Sequence, residues 1–177
     1  MASPAHRSAS GVSGIRTGAT SAMNPSPNDL AVFEQRITAV YGQSAWGTRL
    51  GTGSFLTVEF GPQRPDSASG GRPGRPHGIF HLWVYCSAWR IETPQEVLAS
   101  SEAPREKIEA AVQVLDGRPL VNVQVERPSL SITATFAGDV RLRTFSIFTD
   151  ELDHWMFYMP DGAVFTAGPG SSCSWGR

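Results

Sequence analysis

Few residues in this chain have the types that do chemistry, and their spacing sets them apart from one another. Of the four histidines, His6 lies in the N-terminal stretch and His77 closes a Gly/Pro/Arg-rich loop. Only His81 and His154 fall in segments that read as strands. A sheet could bring those two together, but no third ligand is placed by spacing and neither belongs to a zinc pattern. Each therefore reads as a satisfied structural or surface histidine, and the expectation is no metal and no cofactor. A nucleophilic thiol needs an electropositive, partly exposed setting and a base. Cys86 reads as buried, with His81 five residues away on the opposite face of the strand. The serines at Gly53-Ser54 and Gly170-Ser171 lack the Gly-x-Ser-x-Gly elbow. Gly51-Thr52-Gly53 is followed by neither a helix start nor Gly-Lys-Ser/Thr, so it is a flexible entry to a strand rather than a phosphate loop. Glu59, Arg90 and Glu92 are charged residues inside strand-like segments. Glu59 could meet His81 or Arg90 across a sheet, as a cross-strand ion pair. No catalytic residue emerges, and the reading leans away from an enzyme.

The segment that must position most of these groups is Gly78–Glu92, GIFHLWVYCSAWRIE. In an extended chain Ile79, His81, Trp83 and Tyr85 face one way, and Phe80, Leu82, Val84 and Cys86 the other. Both faces are largely apolar, which predicts a central strand covered on both sides. Trp89–Glu92 is expected to continue it past a bend near Ser87-Ala88.

Upstream, residues 1–27 carry no acid and no apolar periodicity, and are expected to be a disordered tail. Their Arg/Ser-rich composition also resembles a transit peptide, and Met23 is an alternative start. Asn28 and Asp29 can cap a helix whose Leu30, Phe33, Ile37 and Val40 recur at helical spacing, with Gly42 ending it. Ser54–Phe60 alternates as a strand, with Leu56, Val58 and Phe60 on one face. Gly61–His77, with four glycines, four prolines and three arginines, reads as a long mobile loop.

Downstream, Glu96–Ala103 reads as a connector. Pro104 fits the first turn of a second helix with a buried stripe of Ile108, Ala111, Val112 and Leu115, closed by Gly117. An antiparallel meander follows. Val121, Val123 and Val125 alternate; after a turn at Arg127-Pro128-Ser129, Leu130, Ile132, Ala134 and Phe136 form an inner face. A three-residue loop, Ala137–Asp139, keeps that face apolar by pairing Phe136 with Val140 and Ala134 with Leu142. Pro160-Asp161-Gly162 is a turn that pairs Met159 with Ala163 and Phe157 with Phe165. The end of the chain, 169–177, is expected to fray.

These elements predict one α+β domain over 28–168: a mainly antiparallel sheet of six to seven strands with two packed helices. The net charge of −1 argues against a nucleic-acid backbone as partner. Its fourteen arginines are scattered. No apolar run approaches the length of a membrane span. Cys86 and Cys173 read as two reduced thiols in a cytoplasmic protein. Phe55, Trp83 and Tyr85 share the sheet face opposite the aliphatic core. Large aromatics there need cover from the first helix or a partner; the expectation is partial cover, with Phe55 and Tyr85 at the exposed edge. A protein-binding face is thus the first reading, and a small-molecule pocket between sheet and helices the alternative.

The order of small signatures is Trp46, Leu50-Gly51-Thr52-Gly53-Ser54-Phe55-Leu56, Glu59-Phe60-Gly61, a strand ending Trp-Arg-Ile-Glu, and Trp155 before Pro160-Asp161-Gly162. It resembles small bacterial α+β families of unknown function found among immunity-like proteins of polymorphic toxin systems. The resemblance spans about residues 30–168 and carries no catalytic residue. It implies a compact non-enzymatic binding protein, of the kind that inhibits a protein partner.

Overall fold

The computed structural model describes residues 27–64 and 75–177. In chain order the elements are helix α1 (Pro27–Arg36), a 3-10 turn (Ile37–Val40), strands β1 (Ala45–Leu50), β2 (Leu56–Arg64), β3 (His77–Val84), β4 (Ser87–Glu92) and β5 (Val97–Ser100), helix α2 (Arg105–Gln113), and strands β6 (Leu120–Val125), β7 (Ile132–Phe136), β8 (Val140–Ser146), β9 (Trp155–Tyr158), β10 (Val164–Ala167) and β11 (Cys173–Gly176). They form two sheets, ordered β1-β2-β3-β9-β10-β11 and β5-β4-β8-β7-β6. Every ladder between named strands is antiparallel. The mainly antiparallel architecture with two helices is therefore as expected, but the strands divide between two sheets where one was expected.

That division falls at Tyr85-Cys86. The expectation was one strand running to Glu92; instead β3 ends at Val84 and β4 starts the second sheet at Ser87. Alternation explains the misreading. Trp89 and Ile91 are as buried as Leu82 and Val84, so the apolar pattern continues while the chain changes sheets. Nor is β3 covered on both sides. Its residues alternate strictly between half-buried and buried, so only the Phe80/Leu82/Val84 face is core.

The two inner faces meet in one continuous apolar cluster. Phe60 of one sheet lies 6.3 Å from Phe136 of the other, and the Trp89 indole N–H donates to the Ser54 carbonyl at 2.7 Å. Packing is close: the interior cavity between Phe33, Phe60, Leu82, Ile132 and Phe157 is about 10 Å³, no larger than one water needs. Leu30, Phe33, Ile37 and Val40 of the first helical segment are all buried, as their spacing requires. Phe33 stacks on Phe165 at 4.4 Å and meets Trp155 at 5.3 Å. Trp155 and Phe157 pair in register with Val84 and Leu82, so α1 lies on the inner, core side of the larger sheet. It does not cover the Trp83 face.

The meander registers agree with the turn arithmetic. Phe136 faces Val140 and Ala134 faces Leu142, while Phe157 faces Phe165. Ile108, Ala111, Val112 and Leu115 of the second helical segment are buried. Three short edge-lying strands escaped the sequence. β1 sits just before the Gly51–Gly53 entry, in a stretch expected to hold no element, β5 in the expected connector, and β11 in the tail expected to fray. β11 pairs with β10, and Trp175 packs 5.2 Å from Phe165, with its N–H on the Asp29 carbonyl and the Arg36 guanidinium 4.7 Å above it. Strands of four to six residues carry too little period to read. The expected N-terminal tail lies outside the described residues except for Pro27, which opens α1, and the middle of the expected 61–77 loop, 65–74, lies outside them too.

Candidate functional site

The site grows from one residue that breaks the apolar rule. Glu59, on β2, is fully buried. It occupies the outer-face parity of the larger sheet, where β2 and β3 pair Glu59 with His81 and Thr57 with Trp83. A carboxylate removed from water needs charged or hydrogen-bonding partners, and Glu59 has them on both oxygens. Its Oε1 lies 3.0 Å from His77 Nδ1 and 3.6 Å from an Arg49 guanidinium nitrogen. Its Oε2 accepts the Gly78 backbone N–H at 2.9 Å and lies 2.9 Å from His81 Nδ1. Burial alone would raise the Glu59 pKa; the histidines and the Gly78 N–H outweigh it and hold the carboxyl below the ordinary 4.5. Glu59 is thus an ionised carboxylate without water contact.

Two backbone devices bring these groups together. Between Phe60 and Gln63 the register slips by one residue against β3, a bulge carried by Gly61 at φ +72°. Trp46 fastens it by donating its indole N–H to the Gly61 carbonyl at 2.8 Å. Opposite the bulge the chains approach so closely that a Cβ on Gly78 would overlap the Phe60 carbonyl oxygen and lie 2.9 Å from the Phe60 nitrogen. Only glycine fits there, and this closeness lets the Gly78 N–H turn to the carboxylate. Arg64 closes the end of the sheet, donating to the carbonyls of Ile79 and Met159.

The imidazoles differ in setting. The His81 side chain is 12% exposed and has the Tyr158 ring at 5.2 Å, while that of His77 is 46% exposed. The two rings stand nearly perpendicular with centroids 5.2 Å apart. Burial raises the pKa of the Tyr158 phenol, keeping it neutral. One ligand atom from each of Glu59, His77 and His81 lies within 4.8 Å of the others, a donor set able to hold a metal ion. His81 Nδ1 is shielded from solvent, yet despite its 2.9 Å approach to Oε2 it has no partner in hydrogen-bond alignment. The short distance places the two groups together; the poor alignment means it is not a good hydrogen bond.

No family model, curated protein or solved structure matches the chain. The site therefore stands on its own geometry.

Of the groups weighed from sequence, Glu59 does meet His81, as cross-strand pairing allows. It does not meet Arg90, which lies in the other sheet and binds Glu92 at 2.6 Å. His154 does not join His81. It sits beyond the far end of β9 from Tyr158, the residue that faces His81; it is buried, with Nε2 on the Phe148 carbonyl at 2.8 Å. Cys86, expected on the buried face, is half-buried in the crossing between sheets, and burial together with Asp153 pushes its thiol pKa up. That is the opposite of an activated nucleophile. Cys86 and Cys173 are both free thiols.

The residue missed was His77, assigned to the loop. It is the first residue of β3, and the signal that marks it is the four-residue spacing of His77 and His81, which places both on one strand face. Phe55, Trp83 and Tyr85 do come together: Tyr85 lies 4.7 Å from Phe55 and 5.1 Å, edge to face, from Trp83. All three are half-buried.

Proposed function

We propose that the protein is a non-catalytic binding protein that takes a protein partner on the outer face of its six-stranded sheet, with Phe55, Trp83 and Tyr85 as anchors. The observation that carries this is the position of α1: by packing on the inner face it leaves the aromatic row to neighbours on its own sheet. The contacts of α2 run to the edge strands β1 and β5. Rigid aromatics with polar surroundings are the usual anchors of protein interfaces. Arg49 shares the row through its pairing with Thr57 but is engaged by Glu59, and Arg105 near Phe55 is engaged by Glu109 at 2.8 Å, so what the row offers a partner is aromatic surface with a polar rim. An inhibitor of the immunity type, implied by the sequence resemblance, is a protein of this kind.

The pocket reading has less support. The shallow depression between α1 and the β9–β10 hairpin, about 500 Å³, is lined by Val32, Gln35, Arg36, Phe80 and Met159 among others. Its charged group, Arg36, is already engaged by Asp161 at 2.8 Å.

Binding and stability of Trp83→Ala and Tyr85→Ala test the proposal. Each is expected to cost about 1 kcal/mol of stability while abolishing retention of a stoichiometric partner that the unsubstituted chain holds. A loss of roughly 3–5 kcal/mol in both, the cost of a core cavity, would make this face internal structure instead.

A further inference from the structure

We propose that Glu59, His77 and His81 form a site for one divalent transition-metal ion of the zinc class. Two imidazoles and one carboxylate are the donor set such ions take, and hard ions such as Mg²⁺ prefer all-oxygen sites. The spacing fits. Two donors each about 2.1 Å from a common ion, at right angles or tetrahedrally disposed, lie roughly 3.0–3.4 Å apart. The nitrogen–oxygen separations are 3.0 Å from His77 to Oε1 and 2.9 Å from His81 to Oε2, so an ion that meets both takes the carboxylate through both oxygens, and the three residues' donor atoms lie within 4.8 Å of one another. His81 Nδ1 lies beside the carboxylate oxygen without hydrogen-bond alignment and without solvent. Two neighbouring donors that share an ion have that relation, whereas His77 Nδ1 is hydrogen-bonded to Oε1 at 3.0 Å and exchanges that bond for the ion.

The supports a metal site needs are also present. The Gly78 N–H holds Oε2 and so orients the carboxylate. The Tyr158 ring packs against His81. His77, half exposed, gives an ion its way in and leaves coordination positions open to water. Arg49, 3.6 Å from Oε1, is the competing cation. Its side chain is 29% exposed and can turn to solvent when an ion takes its place. The site shares Arg49 and the sheet face with the aromatic row, but its test reads metal binding and the other reads partner binding, so the two fail separately.

The test uses the full chain stripped with chelator and titrated with Co²⁺ or Zn²⁺ alone, followed by calorimetry, the visible spectrum of Co²⁺ and the melting temperature. One ion per chain, a visible cobalt spectrum and a raised melting temperature are expected. His77→Ala removes the hydrogen bond to Oε1 and should lower the metal-free melting temperature somewhat; read against that new baseline, it should weaken binding by at least about tenfold and lose the metal-induced rise. Arg49→Gln should tighten binding several-fold, since it removes the competitor. Failure to bind either ion, or binding equally tight in His77→Ala, overturns the proposal. The first outcome leaves a hydrogen-bonded ion-pair cluster only, and the second places the ion elsewhere on the chain.

Discussion

The outer faces of the two sheets each carry a strand glutamate, Glu59 within β2 and Glu92 at the end of β4, and the two are handled in opposite ways. Glu59 on the six-stranded sheet is sealed from water and surrounded by two imidazoles, a backbone N–H and one guanidinium. Glu92 on the five-stranded sheet is met by Arg90 at 2.6 Å and Arg143 at 3.6 Å, and Arg143 also reaches Glu126. Both arginines also lie over the ring of Phe145, itself 38% exposed. The second arrangement keeps its cations in solvent: Glu92 is itself only 13% exposed, but the arginines on it cannot give up their protons, and their side chains stay about a third exposed. Such pairs add solubility and little stability. The first has given up hydration, and two of its partners are imidazoles, which exchange protons and bind metals. Chemistry on a sheet face therefore follows desolvation and the type of partner, not the presence of a carboxylate.

The contrast breaks most sharply at the backbone. Gly78→Ala should cost about 3 kcal/mol, because the added carbon meets the backbone of Phe60 and that strand cannot yield without opening the bulge. A denaturant melt of unchanged midpoint would show the close approach is not needed. Glu59→Gln comes next, at about 2 kcal/mol near neutral pH, since it leaves a buried polar group facing partners arranged for an anion.

The difference between wild type and Glu59→Gln should also depend on pH. The folded pKa of Glu59 lies below its ordinary 4.5. Its contribution is then complete above that value and is lost as pH falls through the lower folded one. Melts of the two proteins should converge below about pH 4.5; curves that stay parallel into strong acid would show no linkage at Glu59. Glu92→Gln should change stability by less than about 1 kcal/mol, and by less again in high salt. An effect equal to that of Glu59→Gln would erase the distinction between the two faces.

Local grammar carried much of the fold. The helical stripe of Leu30, Phe33, Ile37 and Val40, the stripe of Ile108, Ala111, Val112 and Leu115, and the registers across Ala137–Asp139 and Pro160–Gly162 follow from period and turn length, which are properties of neighbours in the chain. The candidate site was half legible for the same reason. Glu59 stands out as an acid in an apolar strand, and pairing it with a neighbouring strand brings it to His81. His77 was hidden by the loop composition around it, although its spacing from His81 was in plain view.

Tertiary structure alone decided the rest. Nothing local distinguishes Trp89 and Ile91 in a continued β3 from Trp89 and Ile91 in a second sheet, because burial looks alike from either. Which side of the larger sheet α1 takes depends on whether Phe33 finds Trp155 and Phe165 or Trp83, and all are aromatic. The order of strands placed Glu59 beside β3 and Arg90 in the other sheet. Sequence determined the period of each element and the registers of its tight turns, since those arise within a few residues. Partners across the sheets depend on shape and desolvation summed over the whole core, and that sum exists only once the chain has closed.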